Sequence, residues 1–471
     1  MSQNRKKLSL FLAFLPILVV IFMGLMSAMK WKAGMHTPLL ASIIVAAIIG
    51  KYLGYSWSEM EKGLVEGVAR ALQAVFILLI VGTIIGSWIA GGIIPALIYY
   101  SLKVLAPTIF VPAACFVTSI VSLATGTSFT SLATVGLALM ATGVSMGFPA
   151  PLVAGAVISG AYFGDKLSPL SDTTNLAPAM VGCTLFEHIG HMLWDTIPAL
   201  LGSLVLYYFF GIKYASGSMA QPEELEVILA GLDNAFNINA LLLLVPVLTI
   251  ILAIKKFPAI PSLITVSVLG ALCAIFFQGV SIAEILNIVT SGFKSQTGVE
   301  TVDSLLSRGG IVSMGGTIIL LSLATALGGI LETIGSLQYI LNIVMKKVKT
   351  TGQLMLATLL SGLATGFATG AQLLAIIVPA RMFVPAFKER NLHPKNLSRA
   401  AEAVGTVGIN LVPWSVPAIF AQNVLGVEAT QFIPYIFFAY LVILFNAIYG
   451  YTGISIAKIS ESSEQKPNIT A

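Results

Sequence analysis

Charge is what this sequence has least of. Of its 471 residues 57% are hydrophobic and only 10% are Asp, Glu, Lys or Arg, whereas a soluble domain carries about 25% charge. Water is thereby excluded as the solvent for most of the surface. Cysteine is nearly absent too. Cys115, Cys183 and Cys273 stand apart in apolar surroundings with no metal-ligand spacing, so they read as buried packing residues and no disulfide framework is implied. The net charge of +5 is modest and sits in short loops, which suits orientation in a membrane and excludes nucleic acid as a partner. No P-loop, zinc-protease motif, GxSxG elbow or haem-attachment CxxCH stands in a credible context. An ATPase, an enzyme and a cofactor are therefore not expected, and ion gradients remain as the energy source.

What is present is apolar sequence in long runs. Leu8 to Met29, Pro38 to Ile49 with its flanks, and Ala240 to Ile254 approach or exceed the length of a membrane-spanning helix. The first run follows Arg5, Lys6 and Lys7 but has no small-residue cleavage site, so it is read as a retained helix. An all-α polytopic membrane protein with about 10–14 transmembrane segments is expected. The chain also repeats itself. Residues 37–60 align with 260–285, and SLATG at 122–126 recurs as GLATG at 362–366. In each half a proline-interrupted helix follows, at Pro169 and at Pro413 and Pro417. The expected division is a first repeat over 1–212, an extracytoplasmic linker over 213–236, a second repeat over 237–458 and a cytoplasmic tail over 459–471.

With Arg5–Lys7 placed in the cytoplasm, equivalent loops fall on opposite sides, an inverted topology. Lys346–Lys349, and the loop with Lys388, Arg390, Lys395 and Arg399, then lie inside. The linker with Glu223, Glu224, Glu226 and Asp233 lies outside; Lys30 and Lys32 disagree. The SLATG and GLATG tips are read either as re-entrant hairpins or as ordinary turns. Inverted repeats with discontinuous helices are the architecture of secondary transporters. A channel would more plausibly repeat a pore element around a symmetric axis, and an intramembrane hydrolase would need a nucleophile and base that are not seen.

From Ala71 to Gly164 there is no acid and one base, Lys103; then Asp165, Lys166 and Asp172 arrive together in "GDKLSPLSDTTNLA". Leu152 to Phe163 would form roughly 18 Å of helix, reaching mid-membrane. Pro169 removes a backbone donor there, and unwound backbone at that depth survives only beside protein or water. Gly164 to Asn175 should then line a polar cavity. Asp165, Asp172, Ser168, Ser171, Thr173, Thr174 and Asn175 supply hard oxygen ligands for a small cation. A carboxylate at that depth must be neutralised by a cation or a proton, and competition between the two would couple their movements. The alternative for each aspartate is a structural ion pair. Lys166 either partners an aspartate in the empty site or snorkels away, and it is also a candidate proton relay.

The same segment resembles the signature of the NhaC family of Na+/H+ antiporters, within the wider ion transporter superfamily. Asp165, Lys166, Ser168, Pro169, Asp172, Thr173, Thr174 and Asn175 match it position by position. The resemblance implies a multi-pass protein of the bacterial inner membrane that expels Na+ in exchange for H+, with Na+ at Asp165 and Asp172. It also implies a scaffold with a moving transport domain, usually dimeric. Some members exchange malate for lactate and others are proposed to carry amino acids, so small carboxylates and amino acids are the alternative substrates. Lys166, Arg381 and the helix ends at the breaks could meet a carboxylate.

Other candidates rest on repeat position alone. Thr125, Thr127 and Ser128 are set against Thr365 and Thr369, and Asn410, Trp414 and Ser415 against the Asp172 region; tight packing of small residues is the alternative. The second break lacks aspartates, so an asymmetric site is expected. Glu332 is read as a cytoplasmic helix start or a proton relay. His188, His191 and Asp195 share a helical face beside Glu187, as a weak metal motif, a proton-access or pH-sensing patch, or an interfacial helix end. His36 and His393 read as loop residues.

Overall fold

The computed structural model describes residues 5–31, 34–104, 107–215, 222–255, 257–299, 303, 306–345 and 348–459. Lys32, Lys346, Lys347 and tail residues 460–471 lie outside them, as do the side chains of Glu223 and Glu224. Among the described residues all regular structure is helical, apart from one isolated bridge between Leu392 and Lys458. Helix starts carry the local signals expected of them. Ser56 and Glu59 form a capping box, as do Thr350 and Gln353, and Ser281 caps Glu284.

The order of helices repeats. His36–Leu53, Trp57–Ala69, Leu72–Ala90, Ile93–Val104 and Pro107–Thr125 lead to Ser128–Ser145, Ala150–Leu167, Asp172–Val181 and Leu185–Ala215. The second half follows suit with Ala259–Gln278, Ile282–Ser291, Gly315–Thr333, Ser336–Met345 and Thr351–Thr369. Gln372–Glu389, Pro394–Leu411, Val416–Leu425 and a bent pair ending at Thr452 complete it. One detail corrects the alignment made on sequence. SLATG ends at Gly126, which has φ +68°, but its structural counterpart is Gly370 at φ +62°, not Gly366 inside the helix. The GLATG match slips by one helical turn because small apolar residues recur at that spacing on both helices.

Seven described helices are long and apolar enough to cross a membrane, or up to ten if three bent pairs each count as one. The outer faces carry large apolar side chains such as Ile48, Phe186 and Phe276, which only lipid would solvate. This is a multi-pass membrane protein. The halves interleave rather than sit apart. Gly315–Thr333 packs against His36–Leu53 and Trp57–Ala69, while Leu72–Ala90 packs against Ala259–Gln278 and Ile282–Ser291. Helices within Pro107–Ala215 and Thr351–Thr452 pack on one another and contain both breaks. Of the cysteines, Cys115 is buried as expected, but Cys183 and Cys273 are only partly buried.

Candidate ion-binding site

The first break is narrower than the sequence suggests. Helix Ala150–Leu167 has 18 residues, or about 27 Å, so it passes Gly164 and carries Asp165 and Lys166 in its last turn. Unwinding is confined to Ser168–Ser171, and Asp172 opens the next helix with Ser171 as its N-cap. Desolvated carbonyls do not fray here because side chains take them up: Thr174 Oγ1 donates to the carbonyls of Asp165 and Lys166, both at 3.0 Å. Asn175 Nδ2 donates to the carbonyls of Pro169 and Ser171, each at 2.8 Å, and Ser168 Oγ accepts from Leu170 N. Thr174, Asn175 and Ser168 therefore hold the break together, and none of the three lines the cavity.

Each hairpin tip meets the break of its own half. Gly126 lies against Leu170 and Ser171, where a Cβ would come within 2.5 Å of the Leu170 side chain. Gly370 lies against Trp414 and Ser415, and its carbonyl accepts from Val416 N at 2.8 Å. Only glycine at a positive φ allows that approach. The consequence for function is direct: the first tip brings Thr125, Thr127 and Ser128 to Asp165.

A cavity of about 870 Å3 opens there, lined by Thr125, Thr127, Ser128, Asp165, Ser171, Asp172 and Thr173, with Gln372 from the second half. Asp165 is 6% exposed and its Oδ2 accepts from Ser128 Oγ at 2.6 Å. Asp172 is exposed to the cavity at the start of its helix, where the helix dipole favours an anion. The two aspartates thus differ, one desolvated and one wet. Arg70 and Glu332 also line the cavity and pair at 2.6 Å. Glu332 ends helix Gly315–Thr333 rather than starting one. An acid opposes the dipole at that position, and the Arg70 guanidinium compensates. Arg381 lines the cavity and among the described residues has no ion-pair partner.

Several sequence candidates do not reach the cavity. Thr365 and Thr369 donate to carbonyls one turn back in their own helix and are buried in packing. Ser415 is the N-cap of Val416–Leu425, and Trp414 donates to the Phe367 carbonyl. Asn410 is buried behind the cavity wall, 1% exposed. Lys166 does not snorkel, and the aspartate it partners is Asp195 rather than Asp165 or Asp172. It pairs with Asp195 at 3.0 Å and donates to Thr196 Oγ1 at 3.0 Å, with both ion-pair side chains fully buried. Asn446 Nδ2 donates to the same Asp195 oxygen, and Arg399 Nε in turn to Asn446 Oδ1.

His188, His191 and Asp195 do share one face, but they separate chemically. His188 Nδ1 meets Ser398 Oγ at 2.7 Å and His191 Nε2 meets Asn396 Oδ1 at 3.1 Å, while Asp195 faces Lys166. Among the described residues no group of three His, Cys, Asp or Glu could hold a metal. His36 begins a helix and His393 caps one, so neither is a plain loop residue. Sequence reasoning missed Ser128's tie to Asp165, Gln372, the Arg70–Glu332 pair and Glu402. Only Glu402 had a visible signal, a lone acid within the apolar stretch "AAEAVGTVG".

A family profile described as the Na+/H+ antiporter family matches residues 160–454. The chain is 36% identical to the Na+/H+ antiporter NhaC of Alkalihalophilus pseudofirmus, over 95% of this chain and 96% of that one. It is 36% identical to the malate-2H+/Na+-lactate antiporter of Bacillus subtilis, over 93% and 94%. Identity is again 36% to the arginine/ornithine antiporter ArcD of Halobacterium salinarum, over 94% and 91%. With relatives matched over nearly their whole lengths and a profile spanning both breaks, the chain belongs to the Na+/H+ antiporter family.

Proposed function

We propose that the chain is a secondary antiporter exchanging Na+ for H+ across a bacterial inner membrane, with both termini cytoplasmic, working as a homodimer. The observation that carries this is Asp165: a buried carboxylate at the cavity wall, bonded to the Ser128 hydroxyl and, among the described residues, without a cation at ion-pair distance. Such a group is costly to keep charged and dry. A proton or a Na+ relieves the cost, and each excludes the other from the same oxygens. Asp172, in the wet part of the cavity, attracts the cation on its way in. The names of the relatives from Alkalihalophilus and Bacillus support this reading. Lys166 is committed to Asp195 and serves as a fixed positive charge behind the site rather than as a proton relay.

A second reading, exchange of a small carboxylate coupled to the same ions, is supported by Arg381 in the cavity and by the name of the malate/lactate relative. Purified protein in proteoliposomes separates the two. Under the leading reading an inward Na+ gradient drives proton efflux with no organic solute present, and malate, lactate or amino acids add nothing. Asp165→Asn abolishes this flux. Asp172→Asn keeps it but with a raised apparent KM for Na+. Flux that appears only with malate and lactate would transfer the assignment to the second reading. Undiminished flux in Asp165→Asn would sink both.

The pH dependence has a fixed sign. Acid protonates the carboxylate, so Na+ affinity weakens as pH falls. One titrating group gives a limiting change of about tenfold per pH unit.

A further inference from the structure

Glu402 plays no part in the arrangement above, yet it is fully buried. Its Oε1 accepts from Thr406 Oγ1 at 2.7 Å, while Oε2 has no hydrogen-bond partner among the described residues. Among the described residues no cation lies within ion-pair distance of it. Asp165 and Lys166 lie within electrostatic reach, and the Thr173 hydroxyl stands beside it.

Two further buried oxygens lie in the same place, Asn410 Oδ1 and the Tyr162 hydroxyl; they face each other, and among the described residues neither makes a well-formed hydrogen bond. The Asn410 amide nitrogen is spent on the carbonyls of Thr406 and Val407 at 3.3 and 3.0 Å, which turns its oxygen away from its own helix. Tyr162 stands beside Ser128 and Asn410, with Asp165 within electrostatic reach. The helix that carries Glu402 and Asn410 departs from α geometry between them, as a π turn at Ala403–Val407 and a 3-10 turn at Gly408–Leu411. Such irregular turns recur at functional sites. Buried oxygens this weakly paired are costly, and an ion that draws Glu402, Asn410 and Tyr162 together would satisfy them at once. All are hard oxygen donors, suited to a small cation.

We infer that Glu402, Asn410 and Tyr162 complete, with Asp165, an inner site that holds the transported monovalent cation out of water, and that a cation entering it displaces one proton from each carboxylate. The inference rests on the reading of Asp165 as the exchanging carboxylate. Both protons leave to cavity water. Lys166 pairs with Asp195 and Arg399 lies within electrostatic reach of it, so the three carry one net positive charge that offsets the one excess negative charge of the loaded site. The other ionisable groups nearby are bonded elsewhere, although Arg399 Nη2 and His188 Nε2 have no partner among the described residues. Arg399 turns to Asn446 and Ser455, and His188 and His191 to Ser398 and Asn396.

The test titrates NaCl into the purified full chain in choline chloride buffers from acid to alkaline pH, by calorimetry. Wild type should lose about a hundredfold in Na+ affinity per pH unit on the acid side, and Glu402→Gln about tenfold, one proton's worth each. Glu402→Gln with wild-type affinity and slope, while Asp165→Asn fails to bind, overturns this inference alone. Asp165→Asn that still binds Na+ with proton release overturns the underlying reading as well. If Glu402→Gln does not fold, Tyr162→Phe decides. Unchanged Na+ affinity overturns the inference. A ligand role predicts several-fold weaker Na+ binding with melting temperature unchanged or raised.

Discussion

Lys166 and Asp195 show how much a single buried pair constrains the chain. Neither side chain touches solvent, and two ions taken out of water are tolerable only together. Lys166→Met should therefore cost about 3–5 kcal/mol, by leaving the Asp195 carboxylate uncompensated. Lys166→Met combined with Asp195→Leu should recover most of that loss. Thermal unfolding of the two variants in detergent checks it; equal destabilisation by both would mean that the pair is not the reason. Exchange should be impaired in both, because the fixed charge behind Asp165 has gone.

At the scale of helices, close approach decides what the site can be. Ala150–Leu167 lies on Pro107–Thr125 through glycines. A Cβ on Gly160 would run into the Cys115 carbonyl, and one on Gly164 into the backbone of Ser119 and Leu123. Gly164→Ala must separate the two helices and move Asp165 away from Ser128. It should cost at least the roughly 1–3 kcal/mol of an overpacked core and weaken Na+ binding at the same time. Gly190→Ala is the control, since nothing stands within 4 Å of its Cβ position; it should leave melting and binding as they were. The loop at Asp303 titrates rather than packs. The Thr297 amide, helped by the Ser295 and Thr297 hydroxyls and the Gly298 amide, holds the Asp303 carboxyl below its usual range. A lowered carboxylate stabilises above its unfolded-state value and loses that contribution as pH falls through the folded one. Amide exchange at Thr297 and Gly298 should accelerate only in that acid window, and Asp303→Asn should show the fast rate already at neutral pH.

For the whole molecule the open question is orientation. Two runs of helices in the same order, interleaved through Leu72–Ala90 and Gly315–Thr333, are what an inverted pair would need. Charge asymmetry would then put Lys388 and Lys395 inside and Asp233 outside. In a background lacking Cys115, Cys183 and Cys273, a cysteine at Lys395 should react with an impermeant thiol reagent only from the cytoplasm. One at Asp233 should react only from outside. Reaction of both from one face would overturn the inverted arrangement.

Composition and local chain chemistry settled the solvent, the helical class and the place of the first break. These follow from residue types and from proline's missing donor, which need no neighbour to act. The cluster of Asp165, Asp172, Ser171 and Thr173 was legible for the same reason, being contiguous in the chain. What touches that cluster was not. Ser128 reaches Asp165, Asp195 claims Lys166 and Glu402 faces the site because helices far apart in sequence cross there. Apolar helices offer many faces of similar composition, and their sequences do not say which face meets which. The slip between GLATG and the true tip at Gly370 has that same origin. Only packing, with glycines letting backbones meet and buried polar atoms demanding partners, decided which oxygens gather around Asp165.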